Sequence, residues 1–290
     1  MPLGLSKKCS AIAPSATLAM DARAKELRSQ GVNVIGFAAG EPDFETPDPI
    51  REAMKEAMDL GMTRYTPAAG TLELRRAIAA RLLEDHGLVY GMDEIIVSNG
   101  AKHSLYNTFQ AILDPGDEVI VDKPCWVSYP EMVRMAGGVP VFLDCPESQG
   151  FLPSMADLEK LITPRTKAIV FNNPTNPTGM GYDSRTLELL ARVAQEHDLL
   201  IAADEIYTTY LYEGDFCPIR TLPGMAERTI TLNSFSKNFL MTGWRVGVII
   251  AEPELLAVMN RINGSLISSA PSVSQRAALQ ALAMRKEIRE

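Results

Sequence analysis

The run Lys167-Ala168-Ile169-Val170-Phe171, the helical pattern at 185–197 and the run Leu199-Leu200-Ile201-Ala202-Ala203 together decide the fold of this chain. Two short apolar runs flank a segment whose leucines, alanines and valine recur at helical spacing, with Asp183 or Ser184 available as the N-cap. Such a segment is a crossover helix, and strand-helix-strand units of this kind build a mostly parallel sheet.

Further β-rich runs at 94–97, 118–122, 139–143, 229–232 and 245–250 continue the alternation, so the expectation is α/β layers around that sheet. The N-terminal part reads as helices and turns. Residues 49–58 suit a helix capped by Asp48, with Pro49 at its first position and an end near Gly61. A second helix is expected over 71–85, stopped at Gly87. No internal repeat or low-complexity linker interrupts the chain.

Composition limits the function. With 290 residues, 46% hydrophobic and 22% charged, the chain is globular and long enough for a large core. A net charge of -8 with dispersed Lys and Arg argues against nucleic acid and anionic membranes as partners. The early apolar stretch at 11–20 is short and broken by Pro14 and Ser15, unlike a signal peptide or a membrane span. Cys9, Cys125, Cys145 and Cys217 lie far apart and read as reduced thiols of a cytoplasmic protein. His86, His103 and His197 are scattered without ligand-like spacing, so no metal site is expected.

The chemistry concentrates in Ser234-Phe235-Ser236-Lys237-Asn238-Phe239, followed by Gly243-Trp244-Arg245. A lysine desolvated there would lose its charge more easily, and the neutral amine attacks a carbonyl carbon to form a Schiff base. Ser234, Ser236 and Arg245 suit a phosphate beside it, and an aldehyde joined to a phosphate suggests pyridoxal phosphate. A lone lysine after a strand is ordinarily just solvated surface. Ser234-x-x-Lys237 also fits a penicillin-binding serine nucleophile, but the Ser-Asp-Asn and Lys-Thr-Gly elements that chemistry needs are absent from the chain.

Ligands of open α/β sheets gather beyond the carboxyl ends of the strands, and other suggestive residues fall there. Asn99-Gly100-Ala101-Lys102 opens a helix whose N–H groups suit an anion, although a glycine at such a turn also serves geometry alone. Asp204 ends an apolar strand, either as a cap or as the carboxylate that keeps a pyridine nitrogen protonated, with Tyr207 three residues on. The run from Asn172 to Gly179 is a polar proline turn in which an Asn-Pro bond suits the cis form. Trp126, after Lys123-Pro124-Cys125, is either core or a flat lid over a planar ring.

In this order, Gly100-Ala101-Lys102, Trp126, Asn176-Pro177, Asp204, Tyr207, Ser234, Lys237 and Arg245 closely resemble the class I pyridoxal-phosphate aminotransferases of fold type I. Gly40-Glu41-Pro42-Asp43-Phe44 and Tyr65-Thr66-Pro67-Ala68-Ala69-Gly70 extend the likeness over nearly the whole chain. The resemblance implies a mixed, mostly parallel central sheet with helices on both faces. It also implies that Lys237 carries the cofactor as a Schiff base and, once freed, shuttles the proton between the substrate α-carbon and the cofactor C4′. Asp204 would pair with the ring nitrogen, Asn176 and Tyr207 would bond the phenolic oxygen, and Trp126 would stack on the ring. The catalytic set is thus Lys237, Asp204 and Tyr207. Gly100, Ala101, Lys102, Ser234, Ser236 and Arg245 would hold the phosphate, and Tyr65 the phosphate of a neighbouring subunit, which implies a homodimer.

The stretches Gly100 to Tyr106 and Trp126 to Glu131 are similar to bacterial aspartate aminotransferases, some relatives of which accept prephenate. In that subgroup Lys102 meets the substrate's distal carboxylate, beside Gly40, Trp126 and Asn176, so aspartate or glutamate is the expected donor. The resemblance divides the chain into an N-terminal arm, or part of the small domain, at 1–40 and a large cofactor-binding domain at 41–290. The C-terminal small domain, with the arginine that grips the α-carboxylate, is expected to be absent; Arg276, Arg285 and Arg289 match no such motif. Residues 281–290 would begin a helix with an exposed apolar face. The alternatives are a pyridoxal-phosphate C–S lyase or a shortened cofactor-binding paralogue with little turnover. A DNA-binding regulator on this fold has no room before Gly40.

Overall fold

The computed structural model describes residues 4, 6, 10, 12–37 and 40–289; Cys9 lies outside the described residues. Its strands are β1 Ile95–Ser98, β2 Glu118–Lys123, β3 Val139–Asp144, β4 Thr166–Asn172, β5 Leu200–Asp204, β6 Thr229–Ser234 and β7 Gly247–Ile250. They form one seven-stranded sheet in the order β1-β7-β6-β5-β4-β2-β3. Neighbours pair parallel except at β7, which runs antiparallel to both β6 and β1. The chain is thus α/β with the expected mixed, mostly parallel sheet.

Around the sheet lie α1 Ala16–Ser29, α2 Asp48–Asp59, α3 Leu72–His86, α4 Ala101–Ile112, α5 Ser128–Met135 and α6 Met155–Leu161. They are followed by α7 Ser184–Glu196, α8 Pro253–Ile267, α9 Ser272–Ala283 and α10 Arg285–Arg289. The middle strands are apolar on both faces because helices cover both. On one face Leu105 and Phe109 of α4 and Met259 of α8 pack on Val119, Val170 and Ile230. On the other, Leu187 of α7 and Leu158 of α6 pack on Ile120, Ile169 and Ile201. A third cluster joins Ile50, Leu74 and Ala277 of α2, α3 and α9 to Val97 and Val248 at the β1–β7 end. Leu187 is fully enclosed, and truncating such a leucine to alanine costs about 2–5 kcal/mol.

Local signals place the element ends. Asp183 is the cap of α7, its Oδ1 accepting from the Thr186 N–H at 2.7 Å, which settles the choice between Asp183 and Ser184. Gly87 closes α3 in the left-handed conformation at φ 69°.

Three expectations are corrected. Asp48 does not cap α2: Pro47 holds that position, and Asp48 sits in the first turn facing Arg51. β7 starts at Gly247, because Arg245 takes a left-handed backbone at φ 57° that breaks the strand. Residues 281–290 do not begin a helix with a bare apolar face. Ala281 and Leu282 complete α9 and are 0% and 4% exposed, since α9 packs on α2 and α3. Met284 then interrupts the helix, and Arg285 at the head of α10 pairs with Glu84 on α3.

Candidate active site

Because β1, β4, β5 and β6 run in one direction, their carboxyl ends share a rim, and antiparallel β7 begins on it. Gly100, Asn172, Asp204, Ser234 and Gly247 therefore converge there from distant parts of the chain. A cavity of about 470 Å³ opens on the rim. Its walls include Gly40, Ala101, Lys102, Trp126, Asn176, Asp204, Tyr207, Ser234, Ser236, Lys237 and Arg245, nearly all of the residues singled out above. A larger cleft of about 980 Å³ adjoins at Lys237 among Phe44, Tyr210, Tyr212 and Phe216. It is not the better site, because it has neither a carboxylate like Asp204 nor an anion cradle.

Lys237 lies in the connection between β6 and β7, half-buried, and its Nζ donates to the Gly40 carbonyl. Burial lowers its pKa, nearby Arg245 adds to the fall, and Glu41 opposes it. The amine is thereby biased toward the neutral, nucleophilic form.

Facing it, Asp204 is 1% exposed at the tip of β5. Tyr129 donates its hydroxyl to Asp204 Oδ2 at 2.7 Å, while Asp204 Oδ1 has no hydrogen-bond partner among the described residues. Burial raises this carboxyl to about 6 against the Tyr129 hydroxyl and the Ile206 N–H, which favour the anion. Asn172 fixes the neighbouring turn. Its Nδ2 donates to the Asp204 carbonyl at 2.8 Å and its Oδ1 accepts from the Asn176 N–H at 2.7 Å. Asn176 Nδ2 in turn donates to the Tyr207 hydroxyl at 3.2 Å. The Asn173-Pro174 and Asn176-Pro177 bonds are cis, as is Lys123-Pro124.

The anion cradle forms where α4 meets the β6–β7 connection. Gly100 precedes α4 at φ 88°, and a side chain there would overlap the Arg245 guanidinium. Arg245 is held by a bond from Nη1 to the Thr242 carbonyl at 2.7 Å. Ser234 Oγ donates to Ser236 Oγ at 2.9 Å. Free N–H groups at a helix start, two hydroxyls and a guanidinium suit a phosphate. Lys102 Nζ stands 4.9 Å over the Trp126 ring. Burial first, and Arg245 second, lower its pKa.

Two predicted residues lie apart from the cavity wall. Gly100 sits behind Arg245, and Tyr65 is 88% exposed and does not line the cavity. Arg276 and Arg285 pair with Glu56 and Glu84 instead of entering the site. Sequence reasoning missed Tyr129, which stacks edge-on against Trp126 at 5.3 Å. Its place in the first turn of α5, two residues after the cap Val127 and close behind Trp126, was the available signal. Gly247 was also missed. Any side chain on it would strike the backbone of Gly100 and Ala101, a contact made only when β1 and β7 are paired. Thr242, whose Oγ1 donates to Glu41 Oε1 at 2.6 Å, completes the wall.

The family profile for aminotransferase class I and II matches residues 32–290. The chain belongs to this family. An aspartate/prephenate aminotransferase of Thermus thermophilus is 48% identical over 280 residues, spanning 96% of this chain and 72% of that protein. An aspartate aminotransferase of Bacillus subtilis is 44% identical over 279 residues, spanning 96% and 71%. The solved structure of the Thermus thermophilus aspartate aminotransferase with maleate superposes with a TM-score of 0.94 at 45% identity, covering 99% of this chain and 76% of that one.

The chain is accordingly a pyridoxal-phosphate-dependent aminotransferase of fold type I. The residues present fit that cofactor. Asp204 Oδ1, buried and unpartnered, is an acceptor waiting for a ring N–H, and the missing side chain of Gly100 leaves room for Arg245 beside the start of α4. The desolvated amine of Lys237 lines the same cavity.

Proposed function

We propose that this aminotransferase takes its amino group from aspartate or glutamate and passes it to a 2-oxo acid, with Lys237, Asp204 and Tyr207 as its catalytic residues. The observation that carries the donor class is Lys102. Among the described residues its ammonium has no carboxylate partner, yet it lies on the cavity wall over Trp126. A substrate's distal carboxylate would supply the missing charge. The maleate named with the Thermus thermophilus structure is itself a dicarboxylate.

Pyridoxal phosphate, when bound, supplies an aldehyde for the amine and a ring that withdraws electrons from the substrate α-carbon. Asp204 Oδ1 would accept from the ring nitrogen and keep it protonated. Asn176 and Tyr207 would bond the ring oxygen, and Trp126 would cover the ring face. The phosphate would meet the N–H groups of Gly100, Ala101 and Lys102, the hydroxyls of Ser234 and Ser236, and Arg245. Lys237 Nζ, whose burial favours the neutral form, would take the proton from the substrate α-carbon and hold it for return. Gly40, Trp126, Asn176 and Lys102 line the substrate side.

In this reading residues 41–290 form the cofactor-holding domain and residues 1–40 an arm. The chain works as a homodimer in which Tyr65, projecting from its loop, reaches the phosphate of the second copy. A cytoplasmic setting suits the free thiols Cys125, Cys145 and Cys217. Among the described residues no helix is long and apolar enough to cross a membrane.

The test is spectroscopic and enzymatic together. The purified chain with pyridoxal phosphate is expected to show a Schiff-base absorbance that Lys237→Ala abolishes. It is also expected to turn over aspartate beyond one equivalent per site only when a 2-oxo acid acceptor is present. Pyruvate and ammonia released from cysteine conjugates without any acceptor would point to the lyase reading instead.

A further inference from the structure

A second buried carboxyl follows Asp204. Glu205 is 3% exposed, and its N–H donates to the Leu232 carbonyl at 2.9 Å, so its backbone still belongs to the sheet. Successive side chains on extended backbone point to opposite faces. Asp204 lines the cavity and Glu205 does not. The Glu205 carboxyl meets the N–H of Ile219, at the start of the short turn Ile219–Thr221.

The surroundings do not compensate a charge. Among the described residues Glu205 Oε1 has no hydrogen-bond partner. Arg220, the cation that interacts with it, is committed elsewhere. Its Nη1 donates to the Thr229 carbonyl at 2.8 Å, and its Nη2 to Glu94 at 3.3 Å and Glu252 at 3.1 Å. Its guanidinium also lies 5.4 Å over the ring of Tyr90, a phenol that faces the same cluster. A buried carboxyl with one N–H for its two oxygens, and no cation of its own, favours the protonated form. Burial raises the Glu205 carboxyl to about 8; the Ile219 N–H and Arg220 pull against this, and Asp204 adds to it.

We propose that Glu205 is a positioning residue for Asp204, held as the neutral acid so that the tip of β5 carries a single negative charge, on the cavity side. Were Glu205 ionised, a second uncompensated charge would stand behind Asp204, and one of the two would draw a proton back. Kept neutral, Glu205 leaves Asp204 free to remain the anion. The charge state of Glu205 stands on the geometry alone; its consequence for cofactor binding rests on the role of Asp204 proposed above.

An infrared titration of carboxyl stretches tests this on the purified chain before any cofactor is added. A protonated carboxyl is expected at pH 7, absent in Glu205→Gln, with a midpoint near 8. In Asp204→Asn that midpoint is expected to fall by about half a unit or more, because a like charge is gone. No protonated Glu205 at pH 7, or a midpoint indifferent to Asp204→Asn, overturns the proposal. If Glu205→Gln fails to fold, the titrations of the wild type and Asp204→Asn still decide. With pyridoxal phosphate added, the affinity of the wild type is expected to fall above pH 8, by up to about tenfold per pH unit, while that of Glu205→Gln stays level. Parallel profiles overturn the positioning role. Failure to bind the cofactor at any pH would instead count against the proposed function, and is told apart because the infrared midpoints need no cofactor.

Discussion

The Tyr129 hydroxyl donates to Asp204 Oδ2 at 2.7 Å in a fully buried pair, and so orients the carboxylate whose other oxygen is unpartnered. Removing the hydroxyl leaves Asp204 buried with less support for its charge. A hydrogen bond to a charged group contributes about 1.5–3 kcal/mol. Tyr129→Phe is therefore expected to raise the Asp204 pKa further and to weaken pyridoxal phosphate by tenfold or more, roughly the same energy. Equilibrium titration of the cofactor absorbance measures it; an unchanged affinity would show that the pair does not act on the ring.

Stability is expected to depend on pH through Asp204 and Asp122. Burial raises each to about 6, with the Tyr129 and Tyr182 hydroxyls respectively opposing the rise. The folded state then holds these protons more tightly than the unfolded chain. Their contribution is fully present below an ordinary carboxyl pKa and is lost as pH rises through about 6. Relative to the wild type, Asp122→Asn should gain stability between pH 4 and 6 at a rate approaching roughly 1.4 kcal/mol per pH unit, and nothing more above that. Denaturant unfolding at several pH values tests the slope, and a gain continuing beyond pH 7 would contradict it.

At Gly247 the prediction is steric. A methyl group would overlap the backbone of Gly100 and Ala101, and overpacking of this kind costs about 1–3 kcal/mol. Gly247→Ala is expected to lower Tm by several degrees and, under the proposed function, to weaken pyridoxal phosphate more than it weakens pyridoxal, because the displaced N–H groups would face the phosphate. Equal losses for the two compounds would rule out the phosphate cradle.

Under the proposed function Lys102 would separate acidic from neutral substrates. Lys102→Met keeps much of the packing against Trp126 and removes the charge. It should raise KM for aspartate by tenfold or more, corresponding to about 1.5–3 kcal/mol of charge-assisted bonding, and leave a neutral amino donor little changed. The ratio of kcat/KM for the two donors is the readout, and parallel losses would remove Lys102 from substrate recognition.

The sheet was legible from the apolar runs because strands covered by helices on both faces carry an unmistakable composition, as 167–171 does. The convergence of Lys237, Asp204, Asn176 and Arg245 followed from strand ends, which sequence order already indicates. The start of β7 did not, since the left-handed backbone of Arg245 is invisible in a run that continues Val246-Gly247-Val248. Helix α1 has no buried residue, so no apolar stripe announced it. Tyr129 went unnoticed for a related reason: an aromatic on a helix face looks like core until its hydroxyl is seen against a carboxylate far away in the chain.

The reversal at β7 has a mechanical consequence. Ser234 pairs with Gly247 across β6 and β7, and the Phe235 N–H donates to the Val246 carbonyl at 3.1 Å. The segment bearing both Lys237 and Arg245 is thus the closed end of a hairpin whose legs are interior strands. Paired interior strands of this kind open in roughly cooperative units. The amine and the guanidinium therefore share a single lifetime: breathing of the sheet that releases one releases the other, and slow amide exchange at Phe235 would time them both.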